Sequence, residues 1–191
     1  MPKTQYFTAT SLDGYIADNA NSLDWLFQAE AGANAESASG DLYHEFYAQV
    51  GALAMGATTY EWVLGHEKLL EKPESWPYVG RRCWVFSHRQ LPAVPGADIS
   101  FASGDVRPVH QEMLAAAAGR NIWLVGGGDL VGQFADHGLL DEMILSVAPA
   151  TLGGGAPLLP RRLTPGELTL TRCTDDGTFV YLRYAVSRSG D

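Results

Sequence analysis

Twice in this chain an apolar run enters a glycine and leaves it as the start of a helix. The first is Ala52-Leu53-Ala54-Met55-Gly56 followed by Ala57-Thr58-Thr59-Tyr60-Glu61; the second is Ile122-Trp123-Leu124-Val125 followed by Gly126-Gly127-Gly128-Asp129. The first amides of a helix lack partners, the positive end of its dipole lies there, and glycine lets an anion approach the backbone. One such glycine is often only a turn. Two in one chain point to a cofactor that carries a diphosphate. The glycines of the second run are not a Rossmann fingerprint, which belongs to the first βα turn with an acidic residue about 20 residues further on.

Around these turns, strands alternate with helices. Tyr6-Phe7-Thr8-Ala9-Thr10 reads as a first strand closed by Asp13-Gly14, and residues 14 to 24 as a loop. Residues 28 to 40 are small and polar, which predicts an irregular stretch, with Asp41 as an N-cap for a helix bearing Leu42, Phe46 and Val50. Residues 65 to 80 read as a surface excursion, Cys83 to Ser87 and Ile99 to Phe101 as strands, and 107 to 118 as a helix. Met143 to Val147 is a further strand, and the tail around Asp176-Gly177 an antiparallel hairpin. This alternation predicts a mostly parallel sheet covered on both faces, with an antiparallel end.

Composition narrows the function. The 191 residues fit one domain, and a formal charge of −9 argues against nucleic-acid binding, which needs a basic face. It also means that an anionic cofactor must be held by local donors. Cys83 and Cys173 have no metal or redox spacing and both read as buried thiols. No metal-ligand cluster and no nucleophile elbow is present. The N-terminus has no signal-peptide core and no stretch approaches a membrane span, so a cytoplasmic protein without membrane partners is expected.

Taken in order, Ala9-Thr10-Ser11-Leu12-Asp13-Gly14-Tyr15-Ile16-Ala17, Leu23-Asp24-Trp25, Met55-Gly56-Ala57-Thr58-Thr59-Tyr60-Glu61, Val85-Phe86-Ser87 and Val125-Gly126-Gly127-Gly128 resemble the dihydrofolate-reductase superfamily. Within it the chain is most similar to the C-terminal reductase domain of the bifunctional riboflavin-biosynthesis deaminase-reductase. The resemblance runs from Tyr6 to the final hairpin, and the zinc-deaminase signature is missing. It implies a three-layer α/β/α fold and an NADPH-dependent reductase, with NADH possible as donor. Hydride would pass to a small heterocyclic or sugar-like imine or carbonyl. It also implies a homodimer.

The resemblance assigns residues too. Ala9 and Ile16 would meet the nicotinamide carboxamide, and Asp13 to Trp25 would fold over nicotinamide and substrate. Gly56, Ala57, Thr58 and Thr59 would hold one phosphate. Ser87, His88 and Arg89 would surround the adenosine ribose and its 2′-phosphate. Val125, Gly126, Gly127, Gly128, Asp129 and Leu130 would carry the other face of the pyrophosphate, with a cis peptide between Gly126 and Gly127. Two departures stand out: Ala57 replaces a frequent arginine, and the aromatic that such proteins often carry near Val131 is absent. The acid of folate reductases falls on Glu30, five residues after Trp25.

Several residues keep two readings. Asp13 is a substrate-site carboxylate or the turn residue before Gly14, and Trp25 a substrate platform or a core aromatic. Asp24 is functional or a helix cap. His44, beside Glu45, is a proton donor or part of an exposed face. Arg161 and Arg162 grip an anionic substrate or are solvated. Two rival functions remain open: a true dihydrofolate reductase, and a cofactor-binding module without turnover.

Overall fold

The computed structural model describes residues 1–32 and 38–187. The chain begins with β1 (Thr4–Thr10), a short β2 (Tyr15–Ala17), α1 (Asp24–Gly32) and α2 (Ala38–Ala48). Next come β3 (Val50–Gly56) running straight into α3 (Ala57–His66), then β4 (Arg82–Phe86), β5 (Ile99–Ala102) and α4 (Val106–Ala117). The pattern repeats with β6 (Asn121–Gly126) running into α5 (Gly128–Asp136). β7 (Glu142–Val147), a short β8 (Ala156–Pro157), β9 (Leu168–Asp175) and β10 (Val180–Val186) complete it.

The main sheet has the order β5-β4-β3-β6-β1-β7-β10-β9. Strands β5 to β7 in that order pair in parallel, whereas β10 pairs antiparallel with both β7 and β9. β2 and β8 form a separate antiparallel pair. This is the dihydrofolate-reductase-like three-layer fold, a mostly parallel sheet between helices with an antiparallel end.

Both faces of the sheet are buried, so β3 and the middle of β6 are apolar at successive positions while still alternating sides, whereas β1 also buries Thr4, Gln5 and Thr10. In β3, Ala52 and Ala54 face α4 and α5, and Leu53 and Met55 face α2 and α3. In β6, Ile122 and Leu124 take the first side and Trp123 the second. The edge hairpin differs. β9 is exposed along almost its whole length, and Cys173 on it is exposed whereas Cys83 is buried. Apolar alternation on an edge strand looks the same in sequence as on a central one, which is why both thiols read as buried.

Two further expectations are corrected. α1 continues through Gly32 and α2 begins at Ala38, so much of the stretch from 28 to 40 is helical and Asp41 lies inside the helix it was expected to cap. Alanine is the best helix former but carries no periodic signal. The middle of that stretch, 33–37, lies outside the described residues. The excursion from 65 to 80 is not purely surface: Leu69, Trp76 and Tyr78 are buried against β3 and β4. Among the described residues no helix is long and apolar enough to cross a membrane.

Candidate active site

Because β1, β3, β4 and β6 run parallel, the helices that follow them start at one edge of the sheet. A cleft of about 660 Å³ opens there, where ligands of open α/β sheets gather. Its floor is the ends of β1, β3 and β6, and Ile16, Ala17, Ala156 and Pro157 of the β2–β8 pair form part of its wall.

The two glycine turns meet inside this cleft. A Cβ placed on Gly56 would lie 3.8 Å from the Gly127 amide nitrogen and 3.9 Å from the Gly126 carbonyl oxygen. They therefore form two sides of one cradle. Gly56 is the N-cap of α3 and Gly127 that of α5, and neither helix has a side-chain cap. Ala57, Thr58 and Thr59 line the cleft on one side, and Val125, Gly127, Gly128, Asp129 and Leu130 on the other. The Gly126–Gly127 peptide is cis, and Gly126 has φ of 133°, a conformation open mainly to glycine.

The glycines are not equivalent. A Cβ on Gly127 would touch only Ile16, at 4.0 Å; this glycine leaves space to the cleft. A Cβ on Gly128 would run into the carbonyl oxygens of Pro157 and Leu158. Its absence there admits the chain itself.

Ala9 and Ile16 line the cleft together, as do Ser87 and His88. Arg89 does not. Its guanidinium is bound at both nitrogens by Glu61, at 2.8 and 2.7 Å, which raises the arginine pKa further. Asp13 also stands outside the cleft, as a fastening: it accepts from Ser11 Oγ at 2.6 Å, the Gly153 amide at 2.7 Å and the Leu152 amide at 3.0 Å. The Ser11 hydroxyl first, then the Gly153 amide, lower its pKa to about 2. Trp25 packs beside Ala148, Phe179 and Tyr181, as a core aromatic. Asp24 opens α1, where a carboxylate favours the helix dipole, and His44 and Glu45 are exposed on α2.

Glu30 has a different setting. It stands at the rim of a second cavity of about 260 Å³ with Leu26, Tyr43, Ser146 and Tyr181. That cavity shares Phe7 and Ala9 with the main cleft. Desolvation pushes the Glu30 pKa upward although the residue is exposed overall. The carboxyl is therefore easier to protonate than an ordinary glutamate, beside the place where the two cavities join.

Long-range features escape a reading by sequence spacing. Phe7, Trp62, Tyr78 and Trp123 form an aromatic wall in the cleft although they are scattered along the chain. Arg161 is neither solvated nor free: its Nε donates to Asp136 at 2.8 Å and its other end to Asp129 at 3.2 Å. It thus offsets an acid at the mouth of the glycine cradle. Among the described residues no group of His, Cys, Asp and Glu could hold a metal ion.

Comparison with known proteins agrees with this geometry. The RibD C-terminal domain matches residues 107–182. The chain is 33% identical over 95% of its length to the uncharacterized protein YwjB of Bacillus subtilis, of which it covers 97%. A putative riboflavin biosynthesis protein of Shewanella sp. PV-4 superposes with a TM-score of 0.76 at 26% identity, over 97% of this chain and 99% of that one. The diaminohydroxyphosphoribosylaminopyrimidine deaminase/5-amino-6-(5-phosphoribosylamino)uracil reductase of Thermotoga maritima gives 0.66 at 15% identity, over 97% of this chain and 57% of that one. A dihydrofolate reductase of Enterococcus faecalis shares the fold, with a TM-score of 0.60 at 11% identity over 97% of this chain and 96% of that one. With a relative above 30% identity over nearly its whole length and structural neighbours of the same fold, the chain belongs to the family of the RibD C-terminal reductase domain.

Proposed function

We propose that this protein is an NAD(P)H-dependent reductase whose dinucleotide lies along the main cleft with its pyrophosphate between the starts of α3 and α5. The observation that carries the reading is the pair of uncapped helix N-termini facing each other across Gly56 and Gly127. Two phosphates joined by one oxygen fit two sets of free amides that face each other. Ala57 brings no charge, so the backbone does the holding. Ser87 and His88 would bound the adenosine ribose, and Arg89 would reach a 2′-phosphate only by releasing Glu61. Exposed ion pairs are weak enough for such an exchange.

The nicotinamide, when bound, supplies the hydride. The chain's residues orient the reactants and shield them: Ala9 and Ile16 offer a narrow apolar face, and the aromatic wall excludes water. Phe7 and Ala9 border both cavities, which supports a substrate lying over β1 with Glu30 beside it. Glu30 would give the proton that accompanies hydride transfer to an imine or carbonyl. A raised carboxyl pKa keeps the proton available to higher pH, so kcat/KM should fall as pH rises through it. Glu30→Gln should lower the rate and remove that limb; an unchanged pH profile assigns the proton elsewhere.

The cofactor claim is tested by heat. A ligand at a hundredfold excess over Kd adds about 2.7 kcal/mol of stability when it binds only the native state. NADPH or NADH should therefore raise the melting temperature by several degrees. No shift with either at millimolar concentration removes the proposal.

A further inference from the structure

We infer that the substrate is a planar aromatic compound without a phosphate group, unlike the phosphoribosyl compound for which the Thermotoga maritima relative is named. This rests on the reductase reading above and narrows it to a substrate class. The first observation is where the positive charge lies. Between Lys3 and Lys68 there is no lysine or arginine, residues 33–37 included. That stretch supplies β1, β2, α1, α2, β3 and α3, which form most of the substrate end of the site. It carries Asp18, Asp24, Glu30, Asp41, Glu61 and Glu67 among its acids. Among the described residues lining either cavity there is no lysine or arginine, while Asp129 and Glu30 are present.

A phosphate taken out of water needs charge-assisted donors or a helix start. The open starts of α3 and α5 belong to the cofactor. Among the described residues, the first turn of α1 carries the acid Asp24. Neither of two cations on or next to the strands beside the aromatic wall lines the cavities. Arg81 lies over the Tyr47 ring at 5.1 Å and donates to the Gly80 carbonyl, at the start of β4, the end of the sheet away from the glycine turns. Arg183 shares a rung with Ile144 and Phe7 two strands away, and it lines neither cavity.

The second observation is the wall itself. Trp123 is held edge-on by Phe46 at 5.5 Å and by Tyr78 at 5.6 Å, and its indole nitrogen is committed to the Phe7 carbonyl. Trp62 stacks on His66 at 4.5 Å. Trp123 and Tyr78 are buried and hold the wall in place, while Phe7 and Trp62 are half-buried and leave ring surface for another ring to pack on. Burial pushes the Tyr78 pKa far up, so its hydroxyl remains a proton-bearing donor for a ring oxygen or nitrogen.

The test uses the NADPH-saturated protein and calorimetric titration with three probes: 5-amino-6-(5-phosphoribosylamino)uracil, the same compound without its phosphate, and pterin. Pterin or the dephosphorylated compound should bind, and the phosphorylated one at least about tenfold more weakly, with the gap narrowing as salt screens the acidic mouth. Equal or tighter binding of the phosphorylated compound overturns the inference; loss of that binding in Arg81→Ala or Arg183→Ala would then locate the phosphate site. Binding of none of the three overturns the aromatic assignment. The same titrations on apoprotein keep the two readings apart. A protein that discriminates against the phosphate yet gives no melting shift with NADPH loses its cofactor assignment and not its substrate class.

Discussion

Helices α3, α4 and α5 all start where a strand of the parallel sheet ends, yet only α4 closes its own first turn. Its N-cap, Asp105, accepts from the Arg107 amide at 2.9 Å and also binds the Arg107 side chain. α3 and α5 begin at Gly56 and Gly127 with no side-chain acceptor. A side-chain cap satisfies one of the four free amides of a helix start from within the chain. An uncapped start facing a cleft holds its donors for something else. The difference separates helix starts that serve the fold from those available to a ligand, and substitutions can break or sharpen it.

The largest effect is expected at Gly128, the glycine of α5 that serves packing. Gly128→Ala drives a methyl group into the Pro157 and Leu158 carbonyls, and overpacking of this kind costs about 1–3 kcal/mol. The urea midpoint should drop while the folded fraction still binds dinucleotide. Its neighbour should behave in the opposite way. Gly127→Val fills open cleft beside Ile16 and should weaken NADPH at least about tenfold, or about 1.4 kcal/mol, with a smaller change in midpoint. If the two variants exchange these phenotypes, the division of labour within the glycine run is misassigned.

A smaller effect belongs to the capped helix. Asp105→Ala should lower the urea midpoint and leave dinucleotide affinity unchanged. The hydrogen bonds from Arg107 depress the Asp105 pKa from 3.8 to about 2. Its contribution is therefore complete above the unfolded value and lost as pH falls through the folded one. The gap between wild type and variant should accordingly close between those two pH values, as read by urea titration. Smallest is the change at Glu61. Glu61→Gln frees Arg89 and should improve NADPH affinity a few-fold while NADH stays constant; equal movement of both would take Arg89 out of contact with the 2′-phosphate.

Whatever is local could be read from the chain directly. Each glycine turn is a strand and a helix start adjacent in sequence. What stayed hidden depends on pairing over distance or on the absence of pattern. Arg89 looks like a free cation until α3 brings Glu61 to it. Leu69, Trp76 and Tyr78 sit among charges and prolines, so nothing local announces that they return to the core. The alanine-rich ends of α1 and α2 have helical propensity without a hydrophobic stripe. Gly128 sits in the right motif, but the reason it must be glycine lies in the backbone about thirty residues later.

That backbone has a mechanical consequence. The stretch from Leu152 to Arg161 is tied at both ends and along its middle. Asp13 holds its start, β8 pairs with β2, the Leu158 amide donates to Gly14 at 2.8 Å, and Arg161 is tethered to α5 through Asp129 and Asp136. Because Gly128 lets the same stretch rest against α5, this wall of the cleft and the start of α5 are braced as a single part. The stretch from Ala156 to Pro160 is thus a strut between α5 and the β2–β8 pair.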